Sequence, residues 1–361
     1  MLLNQRSMLR FEQSIKSKHT LKNYTDHLEL FLDFSKLKDY DSLINMPQDD
    51  IQMLVEEYVV YLKKKVSPNS VQTMMTGVKH FFIMNRISLF WELIQKMYPE
   101  KVKRSGFKAW DTSHIRKMLD ATTSKRTKAI IHFLASSGSR IGVFDYDLTM
   151  KHLKNLDDGC KGVLIYAGEI DEYWAFLTPE ASNALELYFD ERKNDGESFS
   201  LDSPIFRIQY SLGFEKAKPM KKNSVISIIW RSINKSKIKR ERVNRNFDIQ
   251  QDHGFRKRFN TIMKLDSEIN SNLAEKILGH SVTHKLDNTY FTPSIDDLFN
   301  EFKKAIPELI ISEAERQKII ISKQKQKISK LESRDLEIEK LKTRLDCIER
   351  LSEIASVSKN S

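Results

Sequence analysis

The chain has 361 residues, enough for two compact domains and an appendage, and 40% of them are hydrophobic, which is ordinary for a packed globular protein. No apolar run is long enough to span a bilayer, and Met1-Leu2-Leu3-Asn4-Gln5-Arg6 lacks the apolar core of a signal peptide. A cytoplasmic protein with no membrane partner is expected. Only Cys160 and Cys347 are present, too few and too far apart for a disulfide framework or a zinc ribbon, and the net charge of +11 favours a polyanionic partner.

In chain order, residues 17–97 read as helical. Thr20 is the expected N-cap of a helix carrying Leu21, Tyr24, Leu28, Phe31 and Phe34 at helical spacings. Ile51 to Leu62 gives a second helix, and Pro68-Asn69-Ser70 opens a third. These form an all-helical domain over 1–100. A basic stretch at 101–107, Lys101-Val102-Lys103-Arg104-Ser105-Gly106-Phe107, loses periodicity and reads as a linker.

Over 108–310 the pattern is mixed. Thr112-Ser113 opens a helix, and the segment around Ala129 to Leu134 ends at Ser136-Ser137-Gly138. Val163 to Tyr166 and Tyr173 to Leu177 are the β-branched and aromatic arms of a hairpin. Thr178-Pro179-Glu180 starts the helix of Leu185 and Tyr188. Further helices hold Val225 to Ile233 and Gly254 to Lys264. The fold class expected is mainly α with a small β-hairpin or sheet, α+β, with two domains. In the tail, 311–361, Ile321, Ile328, Leu331, Ile338, Leu341, Leu345 and Ile348 form a narrow apolar seam, a coiled-coil candidate with a register shift between Leu331 and Ile338. A single exposed helix is the alternative.

The basic residues concentrate between Lys235 and Lys264, where Lys237, Lys239, Arg240, Arg242, Arg245, Arg256, Lys257 and Arg258 face only Glu241, Asp248 and Asp252. This tract runs into His253-Gly254-Phe255-Arg256. Two further pieces are Leu278-Gly279-His280, with Tyr290 ten residues on, and Ser137-Gly138-Ser139-Arg140 upstream. Taken singly, each is common. Arg140 reads equally well as a helix cap, His280 and His284 as an incomplete metal pair, and Tyr290 as a core residue beside Phe291.

In this order and spacing the pieces resemble the tyrosine recombinases, the phage-integrase-like family, and within it the archaeal branch. The resemblance spans about residues 15–305 and extends to Thr178-Pro179-Glu180-Ala181. It implies a helical core-binding domain before a catalytic domain, the two clamping a DNA duplex. It also implies a catalytic set of Arg140, His253, Arg256, His280 and Tyr290. Two arginines offer planar forks of permanent charge to the non-bridging oxygens of a phosphodiester, each worth roughly 3–4 kcal/mol by analogy with oxyanion-hole donors. The phenol of Tyr290 attacks, His253 helps to take its proton, and His280 hydrogen-bonds a phosphate oxygen. The resulting 3′-phosphotyrosine conserves the bond energy, so no metal, ATP or other cofactor is needed. Double-stranded DNA is the implied partner, with self-assembly to a dimer or tetramer on it, in the nucleoid.

The family pattern is not complete. The hairpin turn, Ala167-Gly168-Glu169-Ile170-Asp171-Glu172, holds none of the lysine expected there, and Lys161 is the nearest substitute. Val143 stands where an acid is usual, with Asp145 and Asp147 following, and the spacing from His280 to Tyr290 is one residue longer than is usual in the family. Two alternatives therefore stand beside the recombinase: a DNA-binding protein of the same fold without strand transfer, and a type IB topoisomerase.

Overall fold

The computed structural model describes residues 6–102, 106–146, 148–208, 217–243, 246–280 and 291–357. The chain divides into two compact units, Met1–Arg104 and Ser105–Ser361.

The first unit is all helical: α1 (Arg6–Gln13), α2 (Lys18–Ser35), α3 (Tyr40–Ile44), α4 (Gln48–Lys65), α5 (Pro68–Met84) and α6 (Trp91–Lys96). Ser17, not Thr20, caps α2, its hydroxyl accepting the Thr20 amide at 3.4 Å. The apolar stripe was legible but its start was misplaced by three residues, because either hydroxyl satisfies the composition of a cap. Phe31, Tyr58, Phe81 and Phe82 are fully buried and meet edge to face, Phe31 and Tyr58 at 5.0 Å between centroids. Gly77 lets α5 press on α2, since a Cβ there would lie 2.9 Å from the Tyr24 carbonyl oxygen.

The second unit is built around α8 (Lys125–Ser137), whose residues from Ala129 to Ser137 are all buried. A helix covered on every side needs apolar or small residues all round, which Ala129-Ile130-Ile131-His132-Phe133-Leu134-Ala135-Ser136-Ser137 supplies at every position but His132. Packed around it are α7 (Thr112–Asp120), α9 (Pro179–Asn194), α10 (Lys222–Lys235), α11 (His253–Leu265) and a three-stranded antiparallel sheet. The sheet has the order β1 (Leu153–Asn155), β2 (Lys161–Ile165), β3 (Tyr173–Leu177), with Lys161 opposite Leu177 and Ile165 opposite Tyr173. A second hairpin, β4 (Arg242–Val243) and β5 (Asn246–Phe247), precedes α11. Then come α12 (Ser271–Ile277), α13 (Ile295–Leu309) and the 45-residue α14 (Glu313–Val357).

Several charged residues of the motifs hold the fold itself. Arg258 is buried and donates to the carbonyls of Glu308, at 2.7 Å, and Leu309, at 3.3 Å, so it caps the C-terminal end of α13. Arg240 lies over the Phe247 ring at 4.0 Å and reaches the Ile249 carbonyl. Among the described residues, the part of the basic tract left exposed comprises Lys235, Lys237, Lys239, Arg242 and Lys264. Glu180 accepts the amides of Ile311 and Ser312, at 2.7 and 2.9 Å, tying the chain that leads into α14 to the start of α9. No helix among the described residues is long and apolar enough to cross a membrane.

Candidate active site

Three glycines bring the site together. Gly138 ends α8 at φ 59°, and a Cβ on it would lie 2.6 Å from the Phe259 ring of α11. Gly254, the second residue of α11, is faced by Trp110, whose ring would lie 2.5 Å from an added Cβ. The Trp110 indole also donates to the Gln251 carbonyl at 2.8 Å, fixing where α11 begins. Gly279 follows α12 at φ 61° with the Tyr173 ring directly against it. Each glycine stands one or two residues from a predicted site residue, and at each a close approach excludes a side chain.

Arg140 follows the Gly138 turn with extended backbone at φ −69° and ψ 143°. Its Nη1 donates to the Gly279 carbonyl at 3.1 Å. It therefore does not cap α8; it reaches across to the turn after α12. Arg256, one turn into α11 and only 8% exposed, donates from Nη1 to the Gly138 carbonyl at 2.8 Å. Its Nη2 donates to the Leu278 carbonyl and to His280 Nε2, both at 2.7 Å. The two guanidiniums thus share a patch of backbone carbonyls, and among the described residues neither is paired with a carboxylate. Burial, and then the positive charge of Arg140, lower the Arg256 pKa, though guanidinium keeps its proton. Two like charges held together without a counterion mark a place for an anion.

His280 is oriented from behind. Its Nδ1 lies 2.5 Å from Glu275 Oε2, and Glu275 is also ion-paired with Lys264. With Nδ1–H given to the carboxylate, Nε2 presents its lone pair to Arg256, which fixes a neutral imidazole. Burial lowers the His280 pKa; the Glu275 hydrogen bond opposes this, and Arg256 and Arg140 reinforce it.

His253 is exposed at the first position of α11, one helical turn before Arg256 and on the same side. Arg140, Arg256 and His280 are brought together. Tyr290 and His284 lie outside the described residues, as does Asp147. Asp145 accepts the Lys222 amide at 3.0 Å and pairs with the Lys222 ammonium at 2.9 Å, so it anchors the start of α10. Lys161 is held by Glu186 at 2.7 Å and by Asn155 at 2.6 Å.

Two phenols beside the arginines were not singled out by motif or spacing. Tyr166 turns the chain after β2 at φ 55°, a conformation rare for a bulky residue, and its hydroxyl would lie 3.4 Å from a Cβ on Gly142. Its ring meets Tyr146 at 4.6 Å and Tyr173 at 6.1 Å. Burial pushes the Tyr166 phenol up to about 12; Tyr173 adds to the rise, while Arg140 and Arg256 oppose it. Burial likewise raises Tyr173 against the pull of Arg256. Both phenols stay neutral, suited to donating hydrogen bonds rather than to attack as phenolates.

The glycines give a direct check. Gly279→Ala should destabilise the protein by more than the roughly 1–2 kcal/mol of a left-handed alanine, because the Tyr173 ring must also move. Gly196→Ala is the control, at φ 87° with nothing within 4 Å of the added methyl. Equal losses in urea unfolding would mean that Tyr173 gives way freely.

No family profile matches the chain. The tyrosine recombinase XerA of Saccharolobus solfataricus is 25% identical over 299 residues, covering 80% of this chain and 87% of that protein. A lambda integrase tetramer bound to a Holliday junction superposes with a TM-score of 0.52 at 14% identity, covering 79% of this chain and 76% of the other. The XerH site-specific recombinase bound to its difH substrate gives a TM-score of 0.51 at 18% identity, over 78% of each chain. The chain has the fold of the tyrosine recombinases, mainly helical with a small sheet. In sequence it is similar to an archaeal one.

Proposed function

We propose that this chain is a site-specific recombinase that cuts and rejoins double-stranded DNA through a 3′-phosphotyrosine on Tyr290. The observation that carries the reading is the Arg140–Arg256 pair, two guanidiniums on one patch, paired with no carboxylate among the described residues, and with His280 at its edge. Such a pair suits the non-bridging oxygens of a phosphodiester, whose charge grows as the phosphorus becomes five-coordinate. Tyr290 is the nucleophile and His253 assists its deprotonation. The helical first unit binds DNA as a core-binding domain, 1–100, joined through 101–107 to the catalytic domain, 108–310. The protein works on DNA in the nucleoid as a dimer or tetramer; lambda integrase is seen as a dimer on a core site and as a tetramer on a Holliday junction.

His280 changes role as the phosphate arrives. In the free site its Nε2 accepts from Arg256; to donate to phosphate it must take up a proton, with Glu275 holding Nδ1–H throughout. The native state holds the His280 pKa down, whereas the unfolded chain titrates near about 6.5. Its stabilising contribution is therefore complete above that value and is lost as pH falls through the depressed native one. The difference in thermal midpoint between wild type and His280→Gln should shrink from about pH 7.5 to about pH 5. A gap independent of pH would show that Nε2 does not accept from Arg256.

A second reading is favoured by one observation: the β2–β3 turn carries Glu169, Asp171 and Glu172 and no lysine, and Lys161 is committed to Glu186. On that reading the chain binds DNA without transferring strands. Incubation with a nicked suicide duplex separates the two. A denaturant-resistant protein–DNA adduct supports the recombinase; retardation that weakens steeply with salt, without adduct, supports the binding protein. Joined products between two sites, rather than relaxed plasmid alone, distinguish recombination from topoisomerase action.

A further inference from the structure

From Ile320 on, every described residue of α14 is exposed, including Ile321, Ile328, Leu331, Ile338, Leu341 and Leu345, which are 50–58% exposed. Those six side chains cover nothing of their own chain. A solitary helix gains no tertiary packing, which is where most helical stability arises.

The spacing sorts the seam into two segments. Ile321, Gln324, Ile328 and Leu331 follow steps of three, four and three; Ile338, Leu341 and Leu345 follow steps of three and four. Isoleucine holds three of the four first core positions (Ile321, Ile328 and Ile338, with Leu345 the fourth) and leucine two of the three second ones (Leu331 and Leu341, with Gln324 the third). That choice favours two parallel strands. Three additional residues, Asp335 to Glu337, separate the segments, so that Asp335 falls out of the seam in the manner of a stammer.

We infer that α14 pairs with α14 of a second copy of this chain as a parallel, in-register, two-stranded coiled coil, independently of DNA. The flanking charges fit this occupant. In that register Lys327 of one copy faces Glu332 of the other, and Glu337 faces Lys342, each between positions that adjoin the seam. Gln324 meets Gln324 of the second copy and shares a hydrogen bond with it. An antiparallel arrangement would keep the apolar seam, with Leu331 opposite Ile338. It would also set Gln324 against Leu345 and bury its amide without a partner. The inference stands apart from strand transfer; an inactive protein would pair equally well.

Sedimentation equilibrium of the full chain without DNA tests it. Wild type should be a dimer at micromolar concentration, and Leu331→Lys with Ile338→Lys should raise the dimer dissociation constant at least about 100-fold. Glu337→Lys should weaken the dimer and Glu337→Lys with Lys342→Glu should restore it. Leu331→Cys in a Cys347→Ser background should form an intermolecular disulfide on oxidation, because parallel strands put position 331 opposite itself. A monomer at all concentrations, or a dimer indifferent to Leu331→Lys with Ile338→Lys, overturns the pairing. A dimer that does not cross-link through Leu331→Cys overturns the parallel register.

Discussion

Replacing Arg256 with alanine is expected to remove both activity and a measurable part of the stability. Its guanidinium satisfies the Gly138 and Leu278 carbonyls and holds His280, joining the end of α8, the start of α11 and the turn after α12. Alanine leaves two buried carbonyls without donors, at about 1–3 kcal/mol each. Relief of repulsion from Arg140 offsets part of this, since Arg140 is the second cause of the lowered Arg256 pKa, but Arg140 is half-buried and partly screened. The carbonyl loss wins, and unfolding free energy should drop by about 2–4 kcal/mol in urea titration. Adduct formation should fall on the order of 10²–10³-fold beyond any effect of unfolding, because a donor aimed at the phosphate is gone. Arg256→Lys should recover little of either, since one ammonium cannot span two carbonyls and an imidazole. A variant as stable as wild type would show that Arg256 does not hold the site together.

Tyr290→Phe tests the chemistry without touching charge. Loss of one phenol oxygen should leave salt-dependent DNA binding within about twofold, since that binding rests on phosphate contacts. Covalent adduct should fall by on the order of 10⁴-fold or more, the scale on which nucleophile removal acts. Retained cleavage in this variant would assign the attack elsewhere.

Much of the fold was legible because its signals are local. Helical periodicity marked α2, α4 and α5, and alternation of β-branched and aromatic residues marked β2 and β3. The strand β1 escaped notice because three residues carry no period, and β4 and β5 are shorter still. At the site, the motifs around Gly138, Gly254 and Gly279 pointed to Arg140, Arg256 and His280, and the three converge. What the motifs hid was the second layer. Glu275 sits five residues before His280 in an ordinary polar helix, and only the fold turns it onto Nδ1. Tyr166 and Tyr173 read as strand residues, and nothing in a hairpin pattern reports which phenol will face an arginine. The basic tract misled in part: Arg258 and Arg240 belong to the fold, because a charge run in sequence does not distinguish a guanidinium capping a helix from one awaiting DNA.

The most direct measurement is to trap the protein on a suicide duplex, digest it, and identify by mass spectrometry the residue bearing the 3′-phosphate. Attachment to Tyr290 is the expected result. Attachment to Tyr166 or Tyr173, to a serine, or to nothing in a protein that still binds the duplex, would contradict it.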